Sequence, residues 1–221
     1  MNIKTKTLKI ITTLKRLYPK AKCSLHFNSP LQLLIATVLS AQCTDERVNI
    51  VTKDLFKKYK TAKDYAKAKQ SMLGKDIHSV GFYNNKSKSI IKCCKDLVAK
   101  HKGKVPKTME EMVKLAGVAR KTANVVLGNA YRISSGIAVD THVMRLSQRL
   151  GLSKQKDPKK IEQDLNELKE DYNRTKEKID GDNPQERGKK AAGWLLKNIY
   201  GIPGADKLID ILDRKQKEDN R

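Results

Sequence analysis

Apolar side chains recur along this chain three and four residues apart almost throughout, the period of helices that bury one face. Residues 31–40 read L-Q-L-L-I-A-T-V-L-S, nearly unbroken and longer than an ordinary strand. They predict a buried central helix, with Pro30 near its first turn. Ahead of it, Leu8, Ile11, Leu14 and Leu17 share a helical face and predict a docked first helix. Behind it, Asp45 is placed to cap a helix over 46–59. A further helix leads from about Ala62 towards Gly81, and another covers 86–100 up to the polar His101-Lys102-Gly103. Thr108 and Glu111 have the spacing of a capping box for a helix ending near Leu115. The next helices are expected to start near Ala119 and at Thr141.

The pattern changes character after Gly151. More than half of residues 153–190 are charged, yet Ile161, Leu165, Leu168, Tyr172 and Ile179 still mark one face, which predicts a long amphipathic helix. Gly181-Asp182-Asn183-Pro184 would end it. A helix carrying Trp194, Leu195, Leu196 and Ile199 is expected up to Gly201. Ile202-Pro203-Gly204 then turns into a short last helix with Leu208, Ile209, Ile211 and Leu212. No segment alternates strongly enough to predict a sheet, so the expected class is all-α.

Composition narrows the function. The 221 residues carry 47 Lys and Arg against 24 Asp and Glu, a formal charge of +23, with 38% hydrophobic content. A folded chain with that field attracts polyanions, and nucleic acid is the foremost candidate. Charge alone leaves open an RNA or ribosomal partner, an anionic lipid surface, or a lysine-rich composition without a ligand. No apolar run approaches the roughly 18 residues of a membrane span. Residues 1–22 are basic and free of acids, as in a transit peptide, but their helical spacing favours a docked helix. With no signal peptide, a reducing cytoplasm is expected. Cys23, Cys43, Cys93 and Cys94 form no C-x-x-C pair and none lies beyond residue 94, so free thiols are expected and no local zinc or iron–sulfur loop.

Two short stretches carry the chemistry. Residues 115–126 read L-A-G-V-A-R-K-T-A-N-V-V, and 139–142 read V-D-T-H. The first has the form of a helix, a glycine turn at Gly117 and a second helix whose amino end is free to meet a phosphate without reading bases. An ordinary helical corner would have the same form; Arg120, Thr122 and the basic field favour the phosphate. Lys121 lies one turn into that helix. Beside the positive helix end and Arg120 it is either a neutral nucleophile for a sugar carbon, through a Schiff base, or a solvated phosphate contact. Asp140 is placed to cap the helix from Thr141, and a capping carboxylate is also rigidly aimed. His142 has no visible partner for catalysis, and a structural hydrogen bond is its expected role.

Together, residues 33–45 (L-L-I-A-T-V-L-S-A-Q-C-T-D), 80–86 (V-G-F-Y-N-N-K) and these two stretches resemble the endonuclease III family of helix–hairpin–helix DNA glycosylases. The resemblance covers about 10–168. It implies that Lys121 is the nucleophile and that Asp140 assists attack and proton transfer. It implies that Gln42 fills the gap left by a flipped nucleotide and that Phe82 stands where the family usually has a leucine wedge. Gly117, Val118, Ala119, Arg120 and Thr122 become the hairpin contacts to DNA. The implied fold is a six-helix barrel over 27–135 and a second lobe of 1–26 with 136–221, with Lys121 and Asp140 facing each other across the groove between them.

The retained lysine implies a bifunctional glycosylase and AP lyase acting on oxidised pyrimidines and abasic sites in duplex DNA, as a cytoplasmic, nucleoid-associated monomer away from membranes. Departures from the family pattern are a missing four-cysteine cluster loop, Ala116 for a proline and Ala119 for a glycine. The iron–sulfur cluster is therefore expected to be absent, with the apolar 208–212 helix packing in its place. A non-catalytic DNA-binding relative and a monofunctional, water-using glycosylase are the alternatives.

Overall fold

The structure is a computed structural model that describes residues 2–133 and 135–180. The helices expected around 194–199 and 208–212, and the turn expected at 181–184, lie outside those residues. The chain divides into two compact units, one of Lys22–Arg145 and one joining residues 1–21 to those from Leu146 onward. The first is wider at both ends than the 27–135 lobe drawn from the sequence and takes in Asp140. Side-chain hydrogen bonds of Asn124 with Ser135 and Ile137 tie the segment before Asp140 to this unit.

Within Lys22–Arg145 every described element is helical. Helix α2 (Pro30–Leu39) is the core of the unit. Ser29 caps it through Gln32 N, Pro30 occupies its first turn, and Leu33, Leu34, Ile35, Ala36, Val38 and Leu39 are buried. Full burial of a leucine such as Leu33 stabilises by about 1.5–3 kcal/mol. Around α2 pack α3 (Asp45–Lys58), α6 (Tyr83–His101) and α8 (Arg120–Ala130). Helix α7 (Met109–Met112) is a single turn and stops short of Leu115.

Three local expectations are corrected. Thr44, not Asp45, caps α3 by accepting from Arg47 N, because the Asp45 carboxylate is taken by the Ser24 hydroxyl. The segment from Ala62 to Gly81 is three pieces rather than one helix: α4 (Ala62–Lys67), α5 (Gln70–Asp76) and a 3-10 turn at His78–Val80. Extended backbone at Ala68 and Lys69 breaks it. Helix α6 begins at Tyr83, three residues earlier than expected, after the left-handed Phe82.

Tyr65 stacks on Tyr59 with ring centroids 4.9 Å apart and is 1% exposed. Its hydroxyl is buried without a hydrogen-bond partner among the described residues. A buried donor left unmade costs about 1–3 kcal/mol. Tyr65→Phe is therefore expected to leave the protein unchanged or stabilise it by about 1 kcal/mol in chemical denaturation. A loss of stability would mean that the hydroxyl has a partner.

In the other unit, α1 (Ile3–Leu17) lies on α10 (Pro158–Asp180), as the apolar spacing of the amino end predicted. Lys4 pairs with Asp171 at 3.0 Å and the Lys15 ammonium donates to the Tyr172 hydroxyl at 2.8 Å. Ile161 is fully buried, and the Ser153 hydroxyl donates to Asp164. Among the described residues no helix is long and apolar enough to cross a membrane.

Candidate functional site

The hairpin comes first, because it places the lysine. Leu115 and Val118 are buried anchors on either side of the turn, and the Val118 amide donates to the Leu115 carbonyl at 3.2 Å. Gly117 between them has φ +74°, where any other residue is strained, and a Cβ there would lie 3.0 Å from the Ser89 Cβ of α6. The turn can approach α6 only because that Cβ is missing. Val118, expected as a DNA contact, has its side chain in the core and its amide inside the turn. Ala119 is the N-cap of α8 in extended conformation, it supplies no side-chain cap, and the first turn of the helix holds no acid. An uncapped amino end with the dipole behind it suits an anion.

Gly117→Ala is expected to cost about 1–2 kcal/mol from the left-handed backbone alone, with more from the Ser89 contact. A thermal melt checks this. Trimming Ser89 to glycine should recover only the steric part, and full recovery would show that the backbone is not strained.

Lys121 is exposed on the first turn of α8, and Asp140 precedes α9 (Thr141–Arg149). Their side chains meet, Lys121 Nζ to Asp140 Oδ2 at 3.3 Å, and both lie within the Lys22–Arg145 unit. The two carboxylate oxygens have separate tasks. Oδ1 accepts from the amides of His142 (3.0 Å) and Val143 (2.9 Å), while Oδ2 faces the lysine. The Asp140 carbonyl accepts from Met144 N at 2.8 Å, which makes Asp140 the true N-cap. Partial burial works to raise its carboxyl. The Val143 amide, the charge and hydrogen bond of Lys121 and the His142 amide outweigh that and hold it below the usual carboxylate value. The result is an anion, fixed in direction, beside a flexible amine.

His142 meets Arg145 through Nδ1 at 3.3 Å, the structural bond expected of it. Sequence reasoning missed Asn124. It sits one turn beyond Lys121, is 6% exposed, donates to the Ile137 carbonyl and accepts from the Ser135 hydroxyl. It ties the strap that ends in Asp140 to the helix that carries Lys121. An asparagine amid the apolar A-N-V-V, three residues from the lysine, was a signal, but its partner lies in an irregular segment that no periodicity reveals.

Gln42 and Phe82 come together elsewhere on the same unit. With Val38, Lys86, Ser89 and Gly117 they line a pocket of about 310 Å³. Phe82 is 64% exposed, unusual for so large an apolar ring, and both it and Gln42 have positive φ (46° and 53°). A larger pocket of about 390 Å³, lined by His26, Asn49, Lys53 and Phe56 among others, contains none of the expected residues.

Residues 35–171 match the HhH-GPD superfamily base excision DNA repair protein model. The chain is 53% identical over 165 residues to endonuclease III of Synechocystis sp., covering 75% of each protein. It is 49% identical over 141 residues to endonuclease III of Bacillus subtilis, 64% of each. A solved structure of a trapped endonuclease III–DNA covalent intermediate superposes with a TM-score of 0.72 at 44% identity, over 76% of this chain and 79% of that one. A hairpin closed by Gly117, a lysine and a capping aspartate in contact, and these likenesses lead to one conclusion: the chain belongs to the endonuclease III family of HhH-GPD base excision DNA repair proteins, and is a base-excision DNA glycosylase.

Proposed function

We propose that this glycosylase is also an AP lyase, which binds duplex DNA carrying an oxidised pyrimidine or an abasic site and cuts the strand through a Schiff base on Lys121. The observation that carries the reading is the 3.3 Å approach of Lys121 Nζ to a carboxylate already aimed by two backbone amides. Lys121, once its ammonium has passed a proton to Asp140 or to solvent, attacks C1′ of the extruded nucleotide, the bond from C1′ to the base breaks, and the base leaves with a proton. The secondary amine opens the sugar ring, O4′ taking up a proton, to give an imine at C1′ that makes the C2′ proton acidic. Loss of a C2′ proton then expels the 3′ phosphate by β-elimination. Asp140 balances positive charge on the sugar as the base departs, and relays protons from the lysine nitrogen.

DNA is held by parts that ignore sequence. The uncapped start of α8, with Gly117, Ala119, Arg120 and Thr122, meets a phosphate, and the +23 field supplies attraction that falls steeply with salt. Gln42 and Phe82 enter the duplex where the damaged nucleotide leaves, a step costing a few kcal/mol that is smallest for a poorly stacked lesion.

The four-thiolate iron–sulfur cluster usual in the family does not fit this chain. Cluster ligands reach the iron from a shared loop, whereas Cys93 and Cys94 are packed in the core of the Lys22–Arg145 unit, 1% and 0% exposed. Cys23 and Cys43 are far from a cluster spacing in sequence, and no cysteine follows residue 94. The reading therefore includes no cofactor. Protein purified without added iron is expected to be colourless and fully active; activity that tracks bound iron would overturn this.

The deciding experiment is borohydride trapping on an abasic-site duplex. A covalent adduct is expected. Base release without an adduct or a nick would make Asp140 the base for an attacking water and Lys121 a phosphate contact. Binding without either product would leave a DNA-binding protein only.

A further inference from the structure

Among the described residues Lys86 is a buried cation that neither the chemistry nor the phosphate contacts use. It is 6% exposed, on the first turn of α6, and lines the pocket between Gln42 and Phe82. Its ammonium donates to two backbone carbonyls, Leu39 at 2.8 Å and Val80 at 2.9 Å. Leu39 is the last residue of α2 and Val80 the last of the 3-10 turn. Both oxygens sit at helix ends, where carbonyls lack intrahelical partners and carry the negative end of the dipole. The chain then runs three residues from Leu39 to Gln42 and two from Val80 to Phe82. The Lys86 amide also donates to the Phe82 carbonyl at 3.0 Å.

Only four described residues other than glycine have positive φ, and Gln42 and Phe82 are two of them. Backbone in that region persists when its surroundings hold it. The two ammonium bonds of Lys86 are such surroundings: from one point they hold the carbonyls three residues before Gln42 and two before Phe82. Burial works against its charge, lowering the ammonium from its ordinary value, with only the Cys43 sulfur acting the other way. A charge kept there at a cost, to bridge two loops, fits a device for precision better than one for stability.

We propose that Lys86 is a positioning residue that fixes the two loop tips, Gln42 and Phe82, at the spacing needed to enter a base pair from both sides. This rests on the reading of those residues as the groups that fill the duplex. Lys86 touches neither substrate nor the reacting atoms. Its effect is confined to sites where the loop tips must enter a stack against an opposing base.

Single-turnover cleavage would be compared for an abasic site opposite a base and for the same site opposite a one-nucleotide gap, where nothing has to be displaced. Fluorescence of 2-aminopurine placed opposite the site would report the intrusion itself, independently of cleavage. Lys86→Met is expected to slow the paired substrate about tenfold or more, a barrier change of one factor of ten or above, to leave the gapped one within about threefold, and to suppress the fluorescence rise. Lys86→Arg, which keeps donors for both carbonyls, is expected to recover most of the paired rate. Equal losses on both substrates, or no loss, would overturn the proposal.

Gln42→Ala and Phe82→Ala separate its failure from that of the underlying reading. If they show no paired-substrate defect, the reading of the loop tips is wrong. If they show it and Lys86→Met does not, only the role of Lys86 is wrong. Should Lys86→Met melt below the assay temperature, Lys86→Gln, which can donate to both carbonyls only at shorter reach, is read the same way: a loss selective for the paired substrate supports the proposal, and equal losses on both substrates or no loss overturn it.

Discussion

Lys121→Gln is expected to lose strand cleavage at an abasic site by roughly a thousandfold or more, as removal of a nucleophile does elsewhere, and to give no borohydride adduct. DNA binding should survive. One charge among a net +23 is removed, so the slope of log affinity against log salt should fall by about one at most. The fold should survive too, because Asp140 keeps both amide bonds that seat it at the start of α9. Glutamine retains the length and polarity of the side chain and cannot form the imine. A Lys121→Gln protein that cuts at the normal rate would remove the nucleophile assignment.

Asp140→Asn is expected to separate the two tasks of that residue. Asparagine caps helices about as well as aspartate, so the bonds from His142 and Val143 to Oδ1 are retained and only the contribution of the carboxylate charge is lost from stability. The negative charge beside Lys121 is gone, and cleavage should slow by about a hundredfold to ten-thousandfold, the range for a lost acid–base group. Asp140→Ala loses the cap as well and should cost about 1 kcal/mol more in denaturation. If Asp140→Asn and Asp140→Ala were equally unstable, the cap would not be what seats the carboxylate.

A pH signature accompanies the pair. The native carboxyl is held below its unfolded value, so its stabilising contribution is complete above the ordinary aspartate range near 3.9 and is lost as pH falls through the lower native value. Asp140→Asn should therefore lower stability at neutral pH relative to the parent and converge with it in acid. A difference that persisted at pH 2 would point to packing instead.

Much of this was legible in the chain. The buried α2, the docked α1 and the amphipathic α10 follow from spacing alone, because a helix period repeats over many residues and burial of one face dominates local propensity. Gly117, Lys121 and Asp140 were visible because each belongs to a motif whose neighbours constrain it: a glycine turn, a helix start, a helix cap. What the sequence misjudged was short-range and balanced. Asp45 and Thr44 are both good caps, and the choice went to Thr44 because a distant serine, Ser24, occupies the aspartate. The break at Ala68 and Lys69 carries no proline or glycine to announce it.

The sequence by itself determined an all-helical class, a hairpin with its lysine and a capping aspartate, since each depends on residues a few positions apart. Only the tertiary structure decided that Lys121 and Asp140 touch, across nineteen intervening steps of chain, that Asn124 holds the strap between them, and that Val118 points into the core. It alone put Lys86 between Leu39 and Val80, 47 and 6 residues away. The physical reason is the same in each case. A helix is stabilised by partners within one turn, which the order of residues specifies. A buried polar group is satisfied by whichever carbonyl or carboxylate the packing of distant helices brings within 3 Å or so.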